Sequence, residues 1–214
     1  NAPTDSWKLV FDPAYAAKLA DCGVYFLDAS EDMFAVALNY MGKDPNSASS
    51  ADYAAAAAMM SKVRPYVRKF SSSEYLEALA NGDICVANGY SGDVIQAKDR
   101  AEEAKNGVEI AYAIPKEGSQ LNSDTLCIPK GAPHPKNAHA FINYLLDAEA
   151  GKKITETILY PTPNDAAKAL MPDDYKNNQV IFPPADILTK CEYAKFNPDL
   201  QPKYEEAFTR VRAA

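Results

Sequence analysis

The chain has 214 residues, 47% hydrophobic and 24% charged, the balance of an ordinary soluble globular protein and long enough for one large domain or two small ones. A formal net charge of −7 and a pI near 4.9 leave no basic stripe to neutralise phosphates, which argues against nucleic acid and is compatible with a cationic ligand. No apolar run approaches the length of a transmembrane helix, so the chain is not expected to span a membrane. It opens at Asn1 with neither a methionine nor a signal segment, and reads as a mature protein or a piece of one.

In chain order, Pro13 to Ala20 reads as a helix, closed by Cys22-Gly23 and followed by the strand Val24-Tyr25-Phe26-Leu27. Ser30 suits an N-cap for a helix through Tyr40, with Phe34, Val36, Ala37 and Tyr40 as its apolar positions. Asp32 falls in the first turn, where the helix dipole favours a carboxylate, and that placement is reason enough for it. Lys43 to Ser50 is a polar loop. Ala51 to Val63 is an alanine-rich helix that ends before Pro65, because the residue preceding proline avoids the helical region. Ser73 is expected to cap a helix from Glu74 to Ala80.

The rest of the chain is organised around the stretch from Leu79 to Asp93, LANGDICVANGYSGD. Asn81-Gly82 is a helix stop, and Ile84-Cys85-Val86-Ala87 suits a short strand buried on both faces. Gly89-Tyr90-Ser91-Gly92-Asp93 then opens a helix and presents a ring and a carboxylate beyond the carboxyl end of a strand, where α/β sheets bind ligands. An aromatic face beside a carboxylate can hold an organic ammonium. The same residues equally serve an ordinary αβα unit with a solvated aspartate at its helix N-terminus.

Gly92 to Asn106 is amphipathic, with a charged outer face, and is stopped by Gly107. Val108 to Ile114 and Thr125 to Ile128 read as strands. Pro135 to Ala148 reads as a helix with Ala138, Phe141, Ile142, Leu145 and Leu146 on one face, and Gly151 to Leu159 as a further helix ending at Tyr160-Pro161-Thr162-Pro163. Short helices are expected around Ala166 to Leu170, Ala185 to Lys190 and Tyr204 to Val211. This alternation is α/β organisation.

Catalytic constellations are missing from the pattern. Cys22, Cys85, Cys127 and Cys191 lie far apart with no CxxC pair, which removes the familiar zinc clusters and leaves disulfides and buried thiols open. His134 and His139 are five apart, off the spacing of helical metal pairs. No GxSxG, Walker or GxGxxG motif occurs, so no cofactor is expected. Carboxylates are plentiful, but nothing shows two of them converging as an acid–base pair. Thirteen tyrosines raise the possibility of a ferric site, yet no two are adjacent, and tyrosine is common in cores and at ligand rims.

Several stretches carry a resemblance: SWKLVFDP, LNYMGKDPNS, LANGDICVANGYSGD, AKNGVEIAYAIPKEG, FINYLLDAEAG and IFPPADIL. In that order, and over nearly the whole chain, the sequence resembles the periplasmic polyamine-binding proteins of bacterial ABC transporters, the putrescine-binding type above all. LNYMGKDPN and LANGDICVA are its specific motifs; IPKEG alone would be weak.

The resemblance implies a type II periplasmic solute-binding fold, a polyamine ligand such as putrescine or spermidine, a membrane permease as partner, a periplasmic location and no enzymatic activity. Such proteins grip a linear polyamine with carboxylates on its ammonium groups and rings around its methylenes. The acid in the first turn after Leu27-Asp28 matches Asp32, where relatives carry glutamate. The aspartate of the GxxGD turn matches Asp93, the one after the IPKEG loop matches Asp124, and the tyrosine before the late proline bend matches Tyr160. The family's cysteine pair falls on Cys22 and Cys85, which implies a disulfide between them, while Cys127 and Cys191 have no counterpart.

Two positions depart from the pattern. Tyr90 stands where relatives carry tryptophan, and Asn122 near where they carry an aromatic residue, which shifts the expected preference from plain putrescine toward a longer or more polar polyamine. The family's first half has no match here, so the chain is expected to be a C-terminal fragment. Residues 1–107 and 165–214 would form the C-terminal lobe, and 108–164 the hinge crossing and a remnant of the other lobe. Apolar faces of that remnant would be left open to self-association. Two other readings compete. A carboxylate-based α/β hydrolase lacks a nameable nucleophile or acid–base pair, and a ferric or other metal-binding protein of the same broad fold needs converging tyrosines.

Overall fold

In the computed structural model, which describes residues 2–195 and 197–214, the chain opens on two short helices, α1 (Lys8–Phe11) and α2 (Pro13–Leu19). The Asp12 carboxylate between them accepts the Ala14 N–H at 2.9 Å, and Pro13 takes the first helical position, where its missing N–H costs nothing. Then come β1 (Val24–Phe26), α3 (Ser30–Tyr40), α4 (Ser50–Val63), β2 (Lys69–Phe70), α5 (Tyr75–Asn81), β3 (Val86–Ala87) and α6 (Ser91–Ala104). The second half supplies β4 (Gln120–Leu121), α7 (Pro135–Leu145), α8 (Ala148–Ile158), α9 (Asp165–Ala169), α10 (Asp173–Lys176), α11 (Ala185–Leu188), β5 (Glu192–Tyr193) and α12 (Gln201–Ala213).

β1 lies between β2 and β3, both parallel to it, with Tyr25 opposite Lys69 on one side and Ala87 on the other. The helices after β1 pack with α12, whereas α6, after β3, packs with α5. The connections therefore leave β1 and β3 in different directions, and the carboxyl ends of these neighbours frame a topological switch point.

The core explains why these segments fold as they do. Val24 and Phe26 of β1 are buried, as are six consecutive residues of α3, Met33 to Leu38, because α1, α4 and α12 all pack on that helix. α12 closes the core from far along the chain. Tyr204 stacks on Tyr53 at 5.5 Å, Phe34 meets Tyr53 edge-on at 5.3 Å, and Phe208 meets Phe70 at 5.6 Å. Met171, Tyr175 and Ile181 form a smaller cluster against Ile95 and Phe182. Cys22 and Cys85 are joined in a disulfide, Cα atoms 5.5 Å apart, which ties the entry to β1 to the entry to β3. Cys127 is exposed and free, and Cys191 is half-buried and free.

Several local expectations are corrected. Ser30 is the first residue of α3, not its cap; extended Ala29 holds the cap position. Ser71, not Ser73, satisfies the start of α5, its hydroxyl accepting the Glu74 N–H at 3.1 Å. α6 stops at Ala104 because Lys105 turns left-handed (φ 50°), two residues before Gly107. The two helices expected over 135–148 and 151–159 are present, but the first ends at Leu145 and the second already starts at Ala148. Asp147 sets that boundary by capping α8, its carboxylate accepting from the N–H groups of Glu149 and Ala150.

The strand expectations fail where a ladder partner is missing. β3 is half-exposed rather than buried on both faces, since it is the edge of its sheet. Val108–Ile114 and Thr125–Ile128 form no strand. The former is flanked by two tethers, Asn106 Nδ2 donating to the Ala80 carbonyl at 2.8 Å before it and Trp7 Nε1 donating to the Gly118 carbonyl at 2.8 Å after it. Between those tethers, a cavity of about 650 Å³ separates Val108–Ala113 from β3. The pairing of β4 with β5 had no advance signal in the sequence.

α7 has no buried residue, and Leu126, Phe141, Tyr144 and Leu146 are 61%, 58%, 61% and 64% exposed, which leaves an apolar face uncovered. Among the described residues, no helix is long and apolar enough to cross a membrane.

Candidate functional site

Since β1 and β3 are neighbours, the helices that follow them begin side by side. Their first turns carry Asp32 and Asp93, each at the positive end of its helix dipole. Three phenols hold these carboxylates. Tyr90 Oη donates to Asp32 Oδ2 at 2.5 Å; Tyr75 Oη donates to Asp93 Oδ2 at 2.5 Å, and Tyr160 Oη to Asp93 Oδ1 at 2.7 Å. Tyr75 Oη also accepts the Tyr90 backbone N–H at 3.0 Å.

The glycines of Gly89-Tyr90-Ser91-Gly92-Asp93 make room for two of those rings. A Cβ on Gly89 would lie 2.5 Å from the Tyr75 ring, and a Cβ on Gly92 would lie 2.2 Å from the Tyr160 ring. Neither glycine has a positive φ, so close approach, not backbone conformation, requires them. With no side chain between, the Tyr160 ring approaches the start of α6 closely and reaches Asp93.

Burial is the main force pushing the phenols of Tyr75, Tyr90 and Tyr160 above the ordinary tyrosine range, and the hydrogen bonds to Asp93, Asp32 and Asp93 push them further. They are neutral donors at any physiological pH. A carboxylate has roughly four acceptor positions, so two phenols fix Asp93 and still leave it capacity for an ammonium group. Among the described residues, no ion pair joins Asp32, Asp93 or Asp124 to a lysine or arginine. The site is acidic and uncompensated.

Asp32, Tyr90, Asp93 and Tyr160 are brought into one hydrogen-bonded cluster. Asp124 is exposed, and its charge is near enough to raise the Tyr90 phenol. Asn122 is also exposed; its side-chain oxygen accepts from Gln120 Nε2 at 3.2 Å, and it has no hydrogen bond to the cluster. Tyr75 is the participant that sequence reading did not single out. The available signal was chemical: a fully buried tyrosine still has a hydroxyl to satisfy. No group of three or more His, Cys, Asp or Glu side chains among the described residues is arranged to hold a metal.

Residues 2–183 match the model of the family described as bacterial extracellular solute-binding protein. The chain belongs to this family. It is 44% identical over 215 residues to the putrescine-binding periplasmic protein PotF of Escherichia coli, covering 100% of this chain and 58% of that protein. It is also 44% identical over 210 residues to the putrescine-binding periplasmic protein SpuD of Pseudomonas aeruginosa, covering 98% of this chain and 56% of that protein. The chain thus spans a little over half the length of these curated relatives. Among solved structures, it superposes on the spermidine/putrescine ABC transporter substrate-binding protein PotD of Streptococcus pneumoniae with a TM-score of 0.75 at 24% identity, covering 98% of this chain and 62% of that one. That likeness speaks to fold: the chain adopts part of the type II periplasmic binding fold, as its sequence led one to expect.

Proposed function

We propose that this chain is the greater part of an extracytoplasmic solute-binding component of a polyamine ABC transporter, delivering a putrescine- or spermidine-like cation to a membrane permease from the periplasm. One observation carries the reading. Asp32 and Asp93 stand side by side at a topological switch point, held by neutral phenols and with no cation paired to them. Two carboxylates match two ammonium groups, and the rings of Tyr90 and Tyr160 can line the methylenes between. Asp124 adds a third negative charge, and Asn122 a polar wall. The names of the relatives support the same ligand class and lend nothing to the hydrolase or ferric readings.

In this reading, residues 1–107 and 165–214 belong to one lobe and 108–164 to the crossing and a remnant of the other. The packing of α12 on α3 and α4 supports the first part; the uncovered face of α7 supports the second. Tyr90 and Asn122 tilt the preference toward a longer or more polar polyamine than putrescine.

Calorimetric titration with putrescine and spermidine tests the proposal. Losing one partner of a hydrogen-bonded charge pair costs about 2–3 kcal/mol at a half-exposed site, so Asp32→Asn and Asp93→Asn should each weaken binding roughly 30- to 150-fold. Unchanged affinity in both variants would remove the carboxylates from the site.

A further inference from the structure

Tyr75 contributes no surface to the crevice: its side chain is fully buried in α5. Yet its hydroxyl makes two bonds that meet at the site. It donates to Asp93 Oδ2 at 2.5 Å and accepts the Tyr90 N–H at 3.0 Å, and Tyr90 in turn donates to Asp32 Oδ2. A single oxygen atom therefore links the carboxylate of α6 to the turn whose ring holds the carboxylate of α3. Tyr160 also donates to Asp93 but makes no bond to Tyr90 or Asp32. The ring of Tyr75 lies under Gly89, where any Cβ would collide with it at 2.5 Å, so the turn rests directly on the ring.

We propose that Tyr75 is a positioning residue that sets the spacing between the Asp32 and Asp93 carboxylates and so selects the length of the bound diamine. The proposal rests on the diamine reading of the site and deepens it. A diammonium ion of fixed length fits one carboxylate spacing well. With the spacing fixed, a wrong length leaves one ammonium imperfectly paired; with it relaxed, several lengths are accommodated about equally. Losing the hydroxyl should therefore change discrimination, whereas losing a donor that only stabilises Asp93 should change affinity alone.

The experiment uses Tyr75→Phe and Tyr160→Phe, both of which retain the ring. Each variant and the unsubstituted chain are titrated with diaminopropane, putrescine and cadaverine, and exchange of the Tyr90 amide hydrogen is followed by NMR. The unsubstituted chain should separate its best and worst diamine by roughly tenfold or more, the value of a methylene in a fitted site. Tyr75→Phe should compress that range to about threefold, while Tyr160→Phe weakens all three diamines by a common factor. An unchanged ratio in Tyr75→Phe, or a flat profile in the unsubstituted chain, would overturn the proposal. If the unsubstituted chain binds none of the three, the diamine reading of this chain fails on its own and amide exchange decides the positioning role. Tyr90 exchange about tenfold faster in Tyr75→Phe but not in Tyr160→Phe supports it, and equal exchange overturns it.

Discussion

Replacing Gly92 by alanine separates this account from a propensity-based view of α6. Gly92 lies in the first turn of that helix with an ordinary φ, so propensity alone says that alanine should stabilise the protein by up to about 1 kcal/mol. The structure says the opposite. The new Cβ would sit 2.2 Å from Cδ2 and 2.3 Å from Cε2 of Tyr160, atoms of a rigid ring rather than the end of a flexible chain. Moving the ring breaks its hydrogen bond to Asp93, a charge-assisted bond of about 1.5–3 kcal/mol, and adds an overpacking cost of about 1–3 kcal/mol. Gly92→Ala should therefore destabilise the chain by about 1.5–5 kcal/mol net, read as a lower urea midpoint. In a Tyr160→Ala background the collision is absent, and the same substitution should become mildly stabilising. A neutral or stabilising Gly92→Ala in the parent chain would refute the close-approach argument.

Separate parts of the molecule give further expected outcomes. Reducing the Cys22–Cys85 disulfide, or replacing both cysteines by serine, opens a loop spanning a sequence separation of 63 and should cost about 4 kcal/mol on a chain-entropy basis, measured by urea unfolding with and without reductant. The raised phenols of Tyr75, Tyr90 and Tyr160 give stability that is fully present below the unfolded tyrosine pKa and lost as pH rises above it. Urea midpoints should accordingly hold to about pH 10 and then fall, by at most about 1.4 kcal/mol per pH unit for each raised phenol and less for the half-buried Tyr90 and Tyr160, with a shallower fall in Tyr75→Phe. The uncovered face of α7 should drive self-association. Phe141→Glu with Leu146→Glu should shift the chain toward monomer in sedimentation equilibrium without lowering its melting temperature, since neither side chain is buried.

Local sequence carried the fold wherever an element is specified by its own residues. The helix over 30–40, the stop at Gly82 and the strand at Val24–Phe26 arise from apolar spacing and from one glycine, whose φ of 76° is indeed left-handed. It failed where an element depends on a partner. Val108–Ile114 has the composition of a strand but no ladder, because a cavity stands between it and the edge of β3. Asp147 reads as the last turn of the helix before it, not the cap of the helix after it, because a cap and a helical residue look alike until the backbone turns.

The site divides along the same line. Asp32, Tyr90, Asp93 and Tyr160 are candidates from turn chemistry and family resemblance, and the structure places them in one cluster joined through Tyr75. Tyr75 was not legible, since its role comes from α5 packing under Gly89, a tertiary contact that no local spacing announces. Nor does the sequence say why Gly89 and Gly92 are glycine; only the two rings packed against them do.

The central claim is that Asp32 and Asp93 together hold a linear diammonium ion. Native mass spectrometry of the chain with putrescine and spermidine, beside the Asp93→Asn variant and the corresponding diol as a neutral control, tests it most directly. The account predicts one polyamine retained per site, displaced by neither the diol nor dilution, and lost in Asp93→Asn. Equal retention of the diol, or undiminished polyamine binding by Asp93→Asn, would contradict it.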